Sequence, residues 1–109
     1  MRDTEFVKVA KALADPTRHR ILLEIRAKGQ LTCSQVCECF SQSQPTISHH
    51  IKTLEAAGVI NIRREGQYHI LTANEDVLAS FAGDLAGPVS EADDAPVPAT
   101  KAGRARAKS

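Results

Sequence analysis

Ser48, His49 and Lys52 fall on one side of residues 44 to 56 if successive residues turn by ~100°, as in a helix. Together they offer a hydroxyl, an imidazole and an ammonium, with Pro45 and Ala56 beside them and no large apolar group. Ile47, Ile51 and Leu54 stack on the opposite side. A helix that buries Ile and Leu while turning small donors and acceptors outward suits the major groove of DNA, where base edges present hydrogen-bonding patterns. Gln44 and Thr46 stand near the start of the same helix. They join Ser48 and His49 as candidates for reading bases, with Lys52 set to anchor the backbone. Catalysis finds no support here. Consecutive residues on a helix diverge, so Ser48 and His49 cannot act as nucleophile and base. No carboxylate pair or phosphate-cradling glycine loop is evident.

The thiols are the second group with chemistry to offer. Cys33 and Cys37 are separated by four residues and so share a helical face with Val36 and Phe40. Cys39 points ~200° away from Cys37 on an ideal helix. Three thiolates on such a helix cannot meet one ion without distortion, and the spacing is not that of a tetrahedral zinc site. The preferred reading makes Cys33 and Cys37 small core hydrophobes. A soft-metalloid site formed by Cys33, Cys37 and Cys39, or a thiol redox switch, stands as the alternative. His50 flanks the buried stripe and reads as a packed histidine hydrogen-bonded to backbone; His19 and His69 carry no readable signal.

These groups must be positioned by the elements around them. Leu31 to Phe40 reads as a short helix with Thr32 as N-cap and Gln35 at capping-box spacing. Ser41-Gln42 connects it to the longer helix, which Ser43 can cap and whose first turn tolerates Pro45. Gly58 stops that helix. Val59–Arg64 and Gln67–Thr72 are β-rich runs joined by Glu65-Gly66, a hairpin signal. Upstream, residues 4 to 14 carry Phe6, Val7, Ala10, Leu13 and Ala14 at helical spacing. Asp15-Pro16 then opens a second helix with Ile21, Leu22 and Ile25 on one stripe, ending at Gly29. Asn74 can cap a last helix bearing Val77, Leu78, Phe81, Ala82 and Leu85. The expected fold is mainly α with a small β-hairpin: four helices, the hairpin, then a fifth helix, a winged helix-turn-helix. In that fold Arg63, Arg64, Gln67 and Tyr68 lie on the wing and would reach flanking phosphate or the minor groove.

The run Ala12-Leu13-Ala14-Asp15-Pro16-Thr17-Arg18, then Ile21-Leu22, Ser43 to Ile51, Leu54, Gly58 and Arg63-Arg64-Glu65-Gly66, resembles the ArsR/SmtB family of bacterial repressors. The likeness covers roughly residues 5 to 86. It implies a homodimer, paired through the first and last helices, that binds operator DNA and releases it when an effector binds. Several members hold As(III), Cd(II) or Pb(II) on thiolates of the helix that here carries Cys33, Cys37 and Cys39. Cys37 falls where some arsenic sensors have a third cysteine, but the Cys-Val-Cys pair of those members is not reproduced. The last helix lacks the His and acid pairs of the zinc-sensing relatives, since Asp76 and Asp84 are isolated. The effector implied is therefore As(III) or another soft metal, or none, and no cofactor is required.

Composition is compatible with this reading. The chain has 109 residues, 42% of them hydrophobic and 4% aromatic, which allows one small domain. A chain of this size buries a modest fraction of its surface, so a dimer interface that enlarges the core is expected. Net charge is only +1, and over residues 1 to 86 acids and bases are equal in number. Any positive field must come from arrangement rather than excess. That neutrality keeps open the rival reading, a winged-helix module for protein–protein contact without DNA. No apolar run approaches the ~18 residues of a membrane span, no signal peptide is apparent, and free cysteines fit a reducing cytoplasm. Residues 1 to 86 form the expected domain. From Gly87 on, acids (Glu91, Asp93, Asp94) precede bases (Lys101, Arg104, Arg106, Lys108) without periodicity, the pattern of a disordered charged tail.

Overall fold

The computed structural model describes residues 1–87, so the expected tail lies outside the described residues apart from Gly87. Five helices and three strands follow one another: α1 (Asp3–Leu13), α2 (Pro16–Lys28), β1 (Leu31–Thr32), α3 (Cys33–Cys39), α4 (Gln44–Ala56), β2 (Ile60–Glu65), β3 (Tyr68–Ala73) and α5 (Glu75–Ala86). The winged helix-turn-helix expected from the sequence is present, with one added strand.

Helix starts follow local capping chemistry. The Asp15 carboxylate accepts from the Arg18 amide at 3.0 Å, and Pro16 occupies the first helical position of α2. Thr32 and Gln35 exchange side-chain-to-backbone bonds of 3.1 and 2.8 Å, a complete capping box for α3. Ser43 accepts from the Thr46 amide and starts α4, while Asn74 accepts from the Val77 amide and starts α5. Gly58, at φ 84°, turns the chain out of α4 in a conformation that a side chain would strain.

The sheet is antiparallel with strand order β1-β3-β2. Leu31 pairs with Leu71 and Thr32 with Ile70, so the residues before α3 form a short edge strand rather than the first turn of a helix. The hairpin turn is Gly66-Gln67, one residue later than the sequence suggested, with Gly66 at φ 61° supplying the positive dihedral of a tight two-residue turn. Glu65 consequently faces Tyr68, Arg64 faces His69 and Arg63 faces Ile70.

The core gathers Val9 and Ala12 of α1, Ile21, Leu22 and Ile25 of α2, Val36 of α3, Ile47, Ile51 and Leu54 of α4, and Val59, Ile60 and Leu71 of the hairpin. Each fully buried Ile or Leu of this set contributes ~1.5–3 kcal/mol of transfer free energy. In α1 the buried residues are Val9 and Ala12; of the expected Phe6, Val7, Ala10, Leu13 and Ala14, Leu13 packs against the core while Val7 and Ala14 are exposed. Phe6 instead stacks on Phe81 of α5 with ring centroids 4.7 Å apart, and Val7 stays 48% exposed. No residue of α5 is buried within the subunit, and Leu85 is 65% exposed.

Candidate nucleic-acid interface

Helix α4 presents the two faces expected of it. Ile47, Ile51 and Leu54 are buried, and Gln44, Thr46, Ser48, His49, Lys52, Glu55 and Ala56 are exposed. Thr46 is partly occupied: its hydroxyl lies 2.9 Å from that of Ser43, within the N-terminal cap. The connection before α4 is also held, since the Gln42 amide nitrogen donates to the Thr17 hydroxyl at 2.8 Å. That bond ties the turn of the helix-turn-helix to the first turn of α2. Among the described residues, Gln44, Ser48, His49, Lys52 and Glu55 therefore remain the outward donors and acceptors of α4.

The wing stands beside this face. Strand alternation puts Ile60, Ile62 and Arg64 of β2, with Ala73, Leu71 and His69 of β3, on the side turned to the helices. Arg63, Glu65, Ile70 and Tyr68 point to the other side. A cleft between hairpin and α4 is lined by Ser48, Lys52, Glu55, Ile62 and His69, together with Cys33 of α3. His69 thus joins Ser48 and Lys52, although nothing in its sequence neighbourhood marked it. The signal was available only in the register, because Arg64 and His69 become partners once the turn is placed at Gly66-Gln67.

The two wing arginines differ in charge environment. Arg63 Nε donates to Glu65 at 3.1 Å, an exposed pair on the outer face. No acid pairs with Arg64 among the described residues. Arg26 makes a bidentate pair with Glu75 and Lys28 pairs with Glu24, both away from α4. Lys52 of α4 and Arg64 of the wing make no ion pair with an acid among the described residues, although the exposed Glu55 lines the same cleft as Lys52. Gln67 and Tyr68, at the hairpin tip, are both exposed.

His50 departs from expectation in its partners. It is packed, but its ring meets side chains rather than backbone: Arg18 Nη1 lies 3.3 Å from Nδ1 and Asp15 Oδ2 lies 3.9 Å from Nε2. The Arg18 amide, donating to Asp15, holds that carboxyl below its ordinary pKa, with further help from His50 and Arg18.

The three thiols do not converge. Cys33 and Cys37 are half-buried against the core while Cys39 is exposed. Among the described residues no three His, Cys, Asp or Glu side chains are grouped to hold a metal ion, so the site of Cys33, Cys37 and Cys39 is not assembled within one subunit. Burial pushes the Cys33 thiol above its ordinary pKa, and neighbouring Cys37 adds to the effect. Cys33 is thus a protonated, poorly nucleophilic thiol at neutral pH.

Comparison with known proteins agrees with this geometry. A family model described as a helix-turn-helix domain matches residues 13–63. The transcriptional repressor SdpR of Bacillus subtilis is 35% identical over 86 residues, spanning 79% of this chain and 94% of that protein. An arsenical resistance operon repressor of Staphylococcus xylosus is 35% identical over 74 residues, 68% of this chain and 70% of that one. Among solved structures, an ArsR family transcriptional regulator superposes with a TM-score of 0.71 at 26% identity, over 79% of this chain and 88% of that one. The solution structure of a homodimeric winged helix-turn-helix DNA-binding domain from Mycobacterium bovis superposes with a TM-score of 0.65 at 28% identity, over 75% of this chain and 76% of that one. Sequence, fold and the exposed face of α4 converge, and the chain belongs to the ArsR/SmtB family of winged helix-turn-helix transcriptional regulators.

Proposed function

We propose that the protein is a homodimeric repressor whose two α4 helices enter successive major grooves, ~34 Å apart, of an inverted-repeat operator. The observation that carries this reading is the outward face of α4, where Gln44, Ser48, His49 and Lys52 stand together beside an unpaired wing arginine. Gln44, Ser48 and His49, with Thr46 at the helix start, read base edges. Lys52, Arg64 and His69 contact phosphate, and Arg63, Gln67 and Tyr68 extend the wing along the flanking duplex. The partner is engaged through α1 and α5, whose apolar residues Val7 and Leu85 are exposed in one subunit. Operator binding places the work of the protein in the cytoplasm. The rival reading, a module for protein contact alone, fares worse because the exposed face of α4 offers polar groups and no apolar patch.

A second reading concerns the effector. Likeness to the arsenical resistance repressor supports As(III) as the signal, with Cys37 as the sensing thiol. The half-buried placement of Cys33 and Cys37 supports a packing role, which is the reading we favour.

Selection from a random duplex pool tests the function directly. The expected product is an inverted repeat bound by one dimer, with log affinity falling linearly in log salt. Recovery of no repeat, or binding indifferent to salt, overturns the reading.

A further inference from the structure

Arg18 occupies a place that its own helix disfavours. It lies in the first turn of α2, at the positive end of the helix dipole, where an acid would be the stabilising choice. Its guanidinium turns away from α2. Nε donates to the Ala12 carbonyl at 2.6 Å and Nη2 to the Lys11 carbonyl at 3.3 Å, two acceptors at the C-terminal end of α1. The Lys11 carbonyl also takes the Ala14 amide at 3.2 Å, whereas the Ala12 carbonyl would face the missing N–H of Pro16, and a cation is favoured at such a helix end. The third arm reaches α4, where Nη1 lies 3.3 Å from His50 Nδ1. Arginine has no acceptor, so neutral His50 meets it through the Nδ1 lone pair, with its proton on Nε2 on the side of Asp15. The His50 side chain is only 12% exposed, so its ring is fixed by packing as well.

One planar fork therefore joins the C-terminal end of α1, the start of α2 and the middle of α4. His50 is the immediate neighbour of His49, on the helix that faces DNA. We infer that Arg18 is a positioning residue that fixes the orientation of α4 relative to α1, the helix assigned above to the proposed dimer interface, and through it the half-site spacing that the dimer accepts. The inference rests on the operator-reading function proposed above. A local preference broken at the start of α2 is the kind of departure that marks a functional position. The same hydrogen bonds would not be replaced by lysine, whose single ammonium cannot span carbonyls on one helix and an imidazole on another.

The test uses the inverted repeat selected by the full-length wild type, together with versions lengthened or shortened by one base pair between the half-sites. Wild type should reject the altered spacings. Arg18→Met and Arg18→Lys should keep the dimer and their affinity for random duplex, yet lose about tenfold in discrimination between native and altered spacing. His50→Leu should lose the same discrimination, and the double variant should lose no more than either single one. His50→Gln, which keeps an acceptor, should restore most of it. In the free dimer, imidazole 15N spectra should show His50 as the Nε2–H tautomer in wild type and a changed tautomer balance in Arg18→Met.

Unaltered discrimination in Arg18→Met, additive losses in the double variant, or an unchanged His50 spectrum would overturn the proposal. So would a uniform loss of affinity for all duplexes, which would make Arg18 a phosphate contact. If Arg18→Met does not fold, His50→Leu against His50→Gln decides alone, and equal discrimination by the two sinks the idea. If the wild type selects no inverted repeat, the operator reading itself fails and the positioning role falls with it. If wild type is selective and the variants equally so, only the positioning role fails.

Discussion

Arg64 and His69 are direct cross-strand partners on the hairpin face turned toward α4, and His69 shares a cleft with Ser48 and Lys52. The base-reading helix and the wing are therefore not independent contacts. They border one concavity, and substitutions on either side of it should be separable by what they do to sequence preference and to salt dependence.

Replacing Ser48 and His49 together by Ala should leave a folded dimer that no longer prefers its operator. Each base-edge interaction removed is worth ~1–3 kcal/mol of discrimination. Competition between selected operator and random duplex measures it, and unchanged preference would mean that the reading face lies elsewhere.

The wing arginines should behave unequally. Arg64→Ala should weaken binding to all duplexes and flatten the slope of log K against log salt by ~0.9 for each phosphate no longer neutralised. Arg63→Ala should do less, because Glu65 already neutralises Arg63. Glu65→Gln should strengthen nonspecific binding. Equal slopes for Arg63→Ala and Arg64→Ala would show that the Glu65 pair does not persist in solution.

The exposed apolar residues of α1 and α5 should prove to be interface. Val7→Asp or Leu85→Glu should shift sedimentation equilibrium toward monomer and abolish operator binding, since a monomer can engage only one half-site. A stable dimer in both variants would place the interface on other surfaces.

For the thiols, alkylation at neutral pH should label Cys39 first and Cys33 last. Burial raises the Cys33 pKa, so its thiolate fraction stays low until the pH climbs well into the alkaline range. Cys33→Ala should cost about 1 kcal/mol as a small packing defect and leave repression intact with or without arsenite. Cys39→Ser should be nearly silent. Release of DNA by arsenite that disappears in Cys37→Ser would overturn the packing reading in favour of a sensor.

Asp15 gives the pH prediction. Its carboxyl is held below the ordinary value chiefly by the Arg18 amide, so the folded state binds its proton less readily than the unfolded chain. The contribution is complete above the unfolded pKa and is lost as pH falls through the folded one. Asp15→Asn keeps an N-cap acceptor but removes the titration, and should make acid unfolding shallower than in wild type.

Much of the fold was legible in local chemistry. Asp15, Thr32, Ser43 and Asn74 each cap the helix that their side chains announced, because capping depends on residues three positions apart. The outward and inward sides of α4 were equally readable from helical period. Other features depended on the whole molecule. Two residues are too few to show strand alternation, and Leu31-Thr32 become a strand only because β3 lies alongside. Periodicity in α1 displayed apolar residues on more than one side but could not tell which would face the subunit's own core. His50 meets Arg18 and Asp15, partners far earlier in the chain, and His69 gained meaning only from a turn placed one residue later.

The absence of any buried residue in α5 has a thermodynamic consequence. Within the subunit the apolar packing of α5 rests on half-buried Val77, Leu78 and Phe81, so in the dimer proposed above a partner lying on α5 would add to its packing and link folding to association by mass action. Each tenfold dilution withdraws ~1.4 kcal/mol from the assembled form. Melting temperature should rise with protein concentration, as it does not for a self-sufficient monomer. In a cell holding few copies, scarcity would act twice, thinning the population of dimers and loosening the helix that joins them. Repression would then rise with gene dose more steeply than in proportion.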